Sequence, residues 1–151
     1  MSDILVDTNI LVYTFDPRDR AKQEKAQQVF EQLVEAGRAV LSVQCLTEFF
    51  RTVRWRLPDP MDPERALLEV TRLTGACHVL DLTAPLVLEA CRASNEYQMS
   101  IWDALIWAVA EMNGIPVILT EDADHDTILD GVHFLNPFHS AFDIAALEVQ
   151  P

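Results

Sequence analysis

Asp7 closes an apolar run, Ile4-Leu5-Val6-Asp7-Thr8-Asn9, and a second run far downstream, Pro116-Val117-Ile118-Leu119-Thr120-Glu121-Asp122, also ends in acids. Short runs of aliphatic and β-branched residues read as buried strands. In an open parallel sheet, ligands collect just beyond the carboxyl ends of the strands. Carboxylates gathered at such a place resist ionising together unless a cation compensates them. Two strands that each finish in an acid therefore point first to metal-dependent chemistry.

Each acid carries a competing structural role. A charge ending a buried strand is costly unless paired or coordinated. Asp7 could instead cap the helix or turn after it, although Thr8 and Asn9 already offer uncharged capping oxygens. Asp103 is the only charged residue between Glu96 and Glu111, and Ile106, Trp107 and Ala110 share its helical face. Its helix reads as buried, so the acid needs a partner. Ser100 and Asp103 also fit an S-x-x-acid capping box, a role compatible with a site role. Asp122 shares a loop with Glu121, Asp124 and Asp126, which leaves the register open between a functional acid and an acidic surface loop. Thr120 is placed to orient a carboxylate or a water. Glu48 lies off the apolar stripe of Leu46, Phe49, Phe50, Val53 and Leu57, and periodicity assigns it to solvent beside Arg51. His78, His125, His133 and His139 have no ligand spacing, and neither a nucleophile arrangement nor a Gly-rich phosphate loop is present.

The elements that must position these acids alternate between strand and helix, which predicts an α/β domain with a parallel sheet. Residues 3–7 read as the first strand, followed by a helix over 20–36 whose face is Ala26, Val29, Phe30, Leu33 and Val34 and which Gly37 ends. Ala39-Val40-Leu41 is a short strand, and Ser42 caps a helix running to about Leu57. Pro58 and Pro60 break it, Pro63-Glu64 open a helix that Gly75 stops, and His78-Val79-Leu80 form a strand. Helices over 84–97 and from Ser100 to about Asn113-Gly114 follow. The strand 116–120, an acidic loop, and Val132-His133-Phe134-Leu135 as an edge strand complete the pattern. The tail after Pro137 is weakly patterned, although Phe138, Phe142, Ile144 and Leu147 suggest that it packs on the same domain.

A chain of 151 residues fits one domain with a real core. No segment reaches transmembrane length, and the start lacks the basic region of a signal peptide. Cys45, Cys77 and Cys91 are widely spaced and odd in number, which fits reduced thiols in the cytoplasm. The net charge of −13 argues against broad, nonspecific nucleic-acid binding. Its distribution is uneven: residues 1–57 hold eight of the eleven basic residues against eight acids, and the remainder holds three against sixteen. A bound nucleic acid would have to place its phosphates on that first third.

Taken together, Val6-Asp7-Thr8-Asn9, Thr47-Glu48, Trp102-Asp103-Ala104 and Thr120-Glu121-Asp122 resemble the PIN-domain ribonuclease family, whose bacterial members are mostly VapC-type toxins of toxin–antitoxin pairs. The resemblance spans residues 1–138 and leaves 139–151 as a C-terminal tail; Asn136-Pro137-Phe138 is similar to the family's ending. It implies a three-layer α/β/α sandwich with a central, mainly parallel sheet. It further implies a metal-dependent endoribonuclease with catalytic acids Asp7, Glu48, Asp103 and Asp122. Of these, Asp7, Asp103 and Asp122 would hold Mg2+ or Mn2+, supported by Thr8, Asn9, Thr120 and, as an outer member, Asp124. RNA as substrate, an antitoxin partner, a homodimer and a cytoplasmic location without membrane attachment are implied as well. Phosphate contacts are expected from Arg18, Arg20, Lys22 or Arg51, with Lys25 and Arg54 as further candidates.

Two other classes compete. Haloacid-dehalogenase-type phosphatases and response-regulator receivers also place acids after a first strand, but both rely on a later lysine. The last lysine here is Lys25, and the former class also wants a second Asp where Asn9 stands. A PIN-like module that binds RNA or protein without cutting is the remaining alternative. Its signature would be the loss of one or more acids.

Overall fold

The computed structural model describes residues 2–147. Its chain runs β1 (Ile4–Val6), α1 (Thr8–Tyr13), α2 (Arg20–Glu35), β2 (Ala39–Ser42), α3 (Val43–Trp55), α4 (Pro63–Ala76), β3 (His78–Leu80), α5 (Ala84–Tyr97), α6 (Ile101–Met112), β4 (Val117–Leu119), β5 (Thr127–Leu129) and β6 (Val132–Leu135), with a short 3-10 turn at Ile144–Leu147. The strands form one sheet in the order β3-β2-β1-β4-β6-β5. Every pairing is parallel except β5 with β6. This is the expected mixed α/β architecture.

The apolar runs explain the centre of the sheet. All residues of β1 and β4 are fully buried, as strands covered on both faces must be. Ile4 pairs with Ala39 on one side and Val117 on the other, and Val6 lies opposite Leu119. From β1 the chain builds outward through β2 to β3, then returns to place β4 on the opposite flank of β1. The gap beyond the carboxyl ends of β1 and β4 is thus the place where the strand order reverses, the usual crevice of such sheets.

Helices pack in two groups: α1 against α2 and α3 with α3 against α4, and α5 against α6. Helix α6 reads apolar all round because Ala104 through Ala110 are buried without a break. Trp107 is fully buried, and its indole N–H donates to the Leu129 carbonyl at 3.2 Å. Gly114, with φ +66°, closes α6 in a left-handed turn, where Ile115 N–H returns to Ala110 O at 2.9 Å and aims the chain into β4.

The structure departs from the sequence reading in two places. Val132–Leu135 is an interior strand, not an edge, because a further strand, β5, pairs beside it. Asp130 and Gly131, at φ +45° and +80°, make the tight turn that joins them. Gly75 does not stop α4, which continues to Ala76 without needing a left-handed residue there. In the tail, Phe138 meets Tyr13 edge-on at 4.9 Å, Phe142 lies against His125, and Leu147 is buried. The final part of the expected tail segment, 148–151, lies outside the described residues.

Phe49 on α3 is fully buried, whereas Leu88 on α5 is 70% exposed. Phe49→Ala should therefore cost about 3–5 kcal/mol of stability. Leu88→Ala should stay within about 0.5 kcal/mol. Urea unfolding of the two variants checks both values.

Candidate active site

Asp7 leaves the end of β1 and immediately caps α1. Its Oδ1 accepts the Thr8 N–H at 2.7 Å, and its Oδ2 accepts the Thr120 hydroxyl at 2.8 Å. The capping role and the strand-end position belong to the same carboxylate. Asp7 is only 7% exposed. Burial pushes its pKa from 3.8 up to about 6; the bonds from Thr120 and Thr8 pull it down, and the charges of Asp122 and Glu48 push it up further.

Thr120 does more than hold Asp7. The same Oγ1 accepts from Asn9 Nδ2 at 3.2 Å and from the Asp122 N–H at 3.1 Å. One hydroxyl therefore links the ends of β1 and β4 to the acidic loop. It also fixes the register that the sequence left open. Asp122 and Glu121 both line the cleft, but Glu121 is held there by the Tyr13 hydroxyl at 2.6 Å and Lys22 Nζ at 2.8 Å. The carboxyl of Asp122 sits above its ordinary range, mainly through burial; Asn9 lowers it, and the charges of Asp103, Glu121 and Glu48 raise it. Asp124 does not line the cleft, and its backbone carbonyl accepts from Thr127.

Glu48 belongs to the polar side of α3, but that side faces α1 rather than open water. Its Oε2 accepts the Thr8 hydroxyl at 3.1 Å and its Oε1 the Gln44 amide at 3.1 Å. Among the described residues it makes no pair with Arg51, contrary to the periodicity reading. Gln44, which the sequence did not single out, is 7% exposed and also donates to the Trp102 carbonyl at 3.3 Å. The i,i+4 spacing of Gln44 and Glu48 was the available signal. Its Oε1 is buried without a hydrogen-bond partner among the described residues.

Asp103 occupies the first turn of α6, where Ser100 Oγ accepts its N–H at 3.1 Å. The capping expectation holds on the Ser100 side, but the expectation of a buried first turn does not. Burial of α6 starts at Ala104, leaving Trp102 and Asp103 exposed at the cleft. Asp7, Glu48, Asp103 and Asp122 together line a hollow of about 420 Å3, and Asp7, Asp103 and Asp122 also line an adjoining one of about 500 Å3.

The four expected phosphate-binding residues fare differently. Arg18 lines the acidic hollow but is paired with Asp16 at 2.7 Å. Arg20 pairs with Glu24 on the exposed side of α2, and Lys22 ties Glu121. Arg51 is exposed and makes no ion pair with another described residue.

The donor chemistry suits a hard divalent cation: six carboxylates line the cleft with no thiol or imidazole, and two of them, Asp16 and Glu121, are already paired with Arg18 and Lys22. Asp7, buried and facing like charges, is the group such a cation would relieve most. Among the described residues no three of these side chains converge closely enough to hold an ion as they stand. Mutual repulsion favours that spread.

A family model for the PIN domain matches residues 4–129. The chain belongs to the PIN-domain family. Solved PIN-fold structures resemble it at low identity. VapC20 of Mycobacterium tuberculosis, described as a sarcin-ricin loop cleaving toxin, is 21% identical with a TM-score of 0.63, over 77% of this chain and 87% of that one. DNA-bound VapBC from Salmonella typhimurium gives 20% and 0.66, over 91% and 99%. A toxin–antitoxin complex from Klebsiella pneumoniae gives 17% and 0.65, over 90% and 98%. No curated protein matches the chain by sequence. The neighbours share the fold of this PIN domain, and no helix among its described residues is long and apolar enough to cross a membrane.

Because the folded-state pKa of Asp7 lies above its ordinary value, the stability it contributes is present below about pH 4 and is lost as pH rises through about 6. With divalent cations chelated, this single group should cost the PIN domain about 3 kcal/mol across that window. In Asp7→Asn that part of the pH dependence should vanish. Denaturant unfolding of both proteins between these pH values, in chelator, measures the difference, and identical slopes would sink the assignment.

Proposed function

We propose that this PIN domain is a divalent-cation-dependent endoribonuclease that hydrolyses RNA phosphodiester bonds, and that it serves as the toxin of a type II toxin–antitoxin pair. The observation that carries the chemistry is the convergence of Asp7, Glu48, Asp103 and Asp122 on one hollow at the crossover of the sheet. PIN-domain nucleases generally use divalent metal ions. In this chain Asp7, Asp103 and Asp122 would hold Mg2+ or Mn2+, with Glu48 as the fourth acid. Such a cation, when bound, acidifies water and stabilises charge on a phosphate.

The remaining residues supply positioning. Thr120 fixes Asp7, while Thr8 and Gln44 fix the two oxygens of Glu48. Asn9 steadies Thr120 and partly opposes the burial that raises the pKa of Asp122. Asp124 is left as a distant outer acid. No side chain is needed as nucleophile, and none is suited: Cys45 is buried and its thiol is pushed up to about 11. Arg51, exposed in the neighbouring groove, is the first cation we assign to RNA phosphates; Arg18 stands at the cleft but would have to leave Asp16 to join it. Arg20 and Lys22 are already engaged by Glu24 and Glu121.

The toxin reading draws on the fold neighbours, two of which are toxin–antitoxin complexes. A partner protein encoded by an adjacent reading frame, a homodimeric assembly, residence in the cytoplasm and a tail after residue 138 belonging to the same domain are parts of this proposal. Growth arrest on expression, relieved by co-expressing that partner, tests the toxin role separately from the chemistry.

Purified protein should cleave single-stranded RNA with Mn2+ or Mg2+ and lose all activity in chelator. Asp7→Asn and Asp103→Asn should abolish cleavage with the fold intact by circular dichroism. Thr120→Val should weaken activity by roughly 10–100-fold, the usual effect of removing a partner that orients a ligand. Full activity in Asp7→Asn, or cleavage indifferent to chelator, would overturn the reading; absence of cleavage on every RNA would favour the non-cutting module.

A further inference from the structure

Trp102 stands immediately before Asp103 and is 61% exposed. Its carbonyl is tied to α3 through Gln44, but its indole N–H bonds to no described residue. The side chain lines both the acidic hollow and a neighbouring groove of about 620 Å3. That groove also carries Thr47, Arg51, Thr52, Leu82 and Leu105. A large exposed indole is unfavourable in water and is at home against a flat, apolar-faced partner. Arg51 lines the same groove; like Lys25 and Arg54 it makes no ion pair with another described residue, and unlike them it is exposed.

We propose that Trp102 is a stacking platform for an unpaired RNA base beside the phosphate held at the acids, and that Arg51 receives a further phosphate along the groove. The inference rests on the ribonuclease reading and adds to it a base-binding side chain beside the acids. Bases stack on aromatic faces with little regard to sequence, whereas the bases of a duplex are already stacked and are not free to do so. The acidic hollow and the groove share Thr8, Gln44, Glu48, Thr52 and Trp102, so acids, an aromatic face and a cation border one continuous surface. Because Trp102 and Asp103 share one peptide bond, base and phosphate are registered on the same helical turn. Purine preference at that position follows from the stronger stacking of larger bases.

The cleavage-inactive Asp7→Asn chain, in Mg2+, is titrated with poly(A), poly(U) and the poly(A)·poly(U) duplex while tryptophan emission is followed. Three tryptophans report: Trp55 and Trp102 are exposed at 60% and 61%, and Trp107 is buried. Single strands should quench emission when Trp55→Phe is added and leave it unchanged when Trp102→Phe is added, and the duplex should quench weakly in both. Trp102→Ala should bind poly(A) roughly tenfold more weakly, with Trp102→Phe retaining most of the affinity. Arg51→Ala should flatten the salt dependence of binding by about one phosphate contact. In the active chain, Trp102→Ala should raise KM and leave kcat within a few-fold.

Quenching that persists in Trp102→Phe, or unchanged affinity in Trp102→Ala, overturns the platform and favours a protein-docking role for this indole. If the wild-type chain still cuts RNA in that case, the nuclease reading survives alone. If single strands quench Trp102 but no RNA is cut with either cation, the platform stands as a binding surface and the nuclease reading falls. Neither quenching nor cleavage ends both.

Discussion

The carboxylate of Asp7 is gripped from two directions, by the Thr8 amide that starts α1 and by the Thr120 hydroxyl that ends β4. This grip exists because β1 and β4 are parallel neighbours with Val6 opposite Leu119, so the residues that follow them emerge side by side. Three fully buried residues in each strand fix that register. Charging Asp7 in such a place opposes folding, and the apolar sheet around it supplies the stability that offsets the cost. A site acid could not be held this rigidly on an exposed loop.

From this anchor the cleft divides into a fixed wall and an adjustable one. Asp7 and Thr120 follow directly on the central strands and are buried, and Glu48 is half-buried with both oxygens bonded, whereas Asp103 and Asp122 are exposed on a first helical turn and a loop. Like charges can separate only where side chains are free to swing, so the exposed acids take up the repulsion that Asp7 cannot. The same logic accounts for the basic residues. An acidic chain must avoid losing its few cations to its own carboxylates, yet Arg18, Arg20 and Lys22 are all paired internally. Lys22 neutralises Glu121, which lines the cleft beside Asp122. On the proposed RNA-cleaving reading, contact with an anionic strand would fall to few cations and to stacking, which carries no charge and tolerates an acidic surface.

How much of this could be read from the sequence depended on whether a signal was local. The buried central strands, the Ser42 cap and the solitary Asp103 were visible because burial of continuous apolar runs and capping are properties of adjacent residues. Glu48 was misassigned by periodicity, since a helix stripe separates core from non-core but does not tell water from a cleft. Only the packing of α1 against α3 turns that side into the cleft wall. The β5–β6 hairpin was missed although Asp130-Gly131 is a strong turn signal. Thr127-Ile128-Leu129 is too short and too exposed to announce a strand beside an acidic loop. What distinguishes Glu121 from Asp122 had no local signal at all, because the partners that hold Glu121, Tyr13 and Lys22, lie more than ninety residues away.

Thr120 shows why the positioning residues matter as much as the acids. A hydroxyl has one proton to donate and two lone pairs to accept with. Here the proton goes to Asp7, and the lone pairs take Asn9 Nδ2 and the Asp122 amide, so the group is saturated and its direction is not free to change. That saturation couples two acids to one rotamer. The Asp7 carboxylate and the Asp122 backbone are thereby tied together although they follow different strands, leaving only the Asp122 side chain to swing, and any substitution that frees the rotamer uncouples them. Valine would keep the volume and lose all three bonds; serine would keep the bonds and lose the β-branch that limits χ1. The β-branched hydroxyl of threonine is the side chain that meets both requirements at the end of a buried strand.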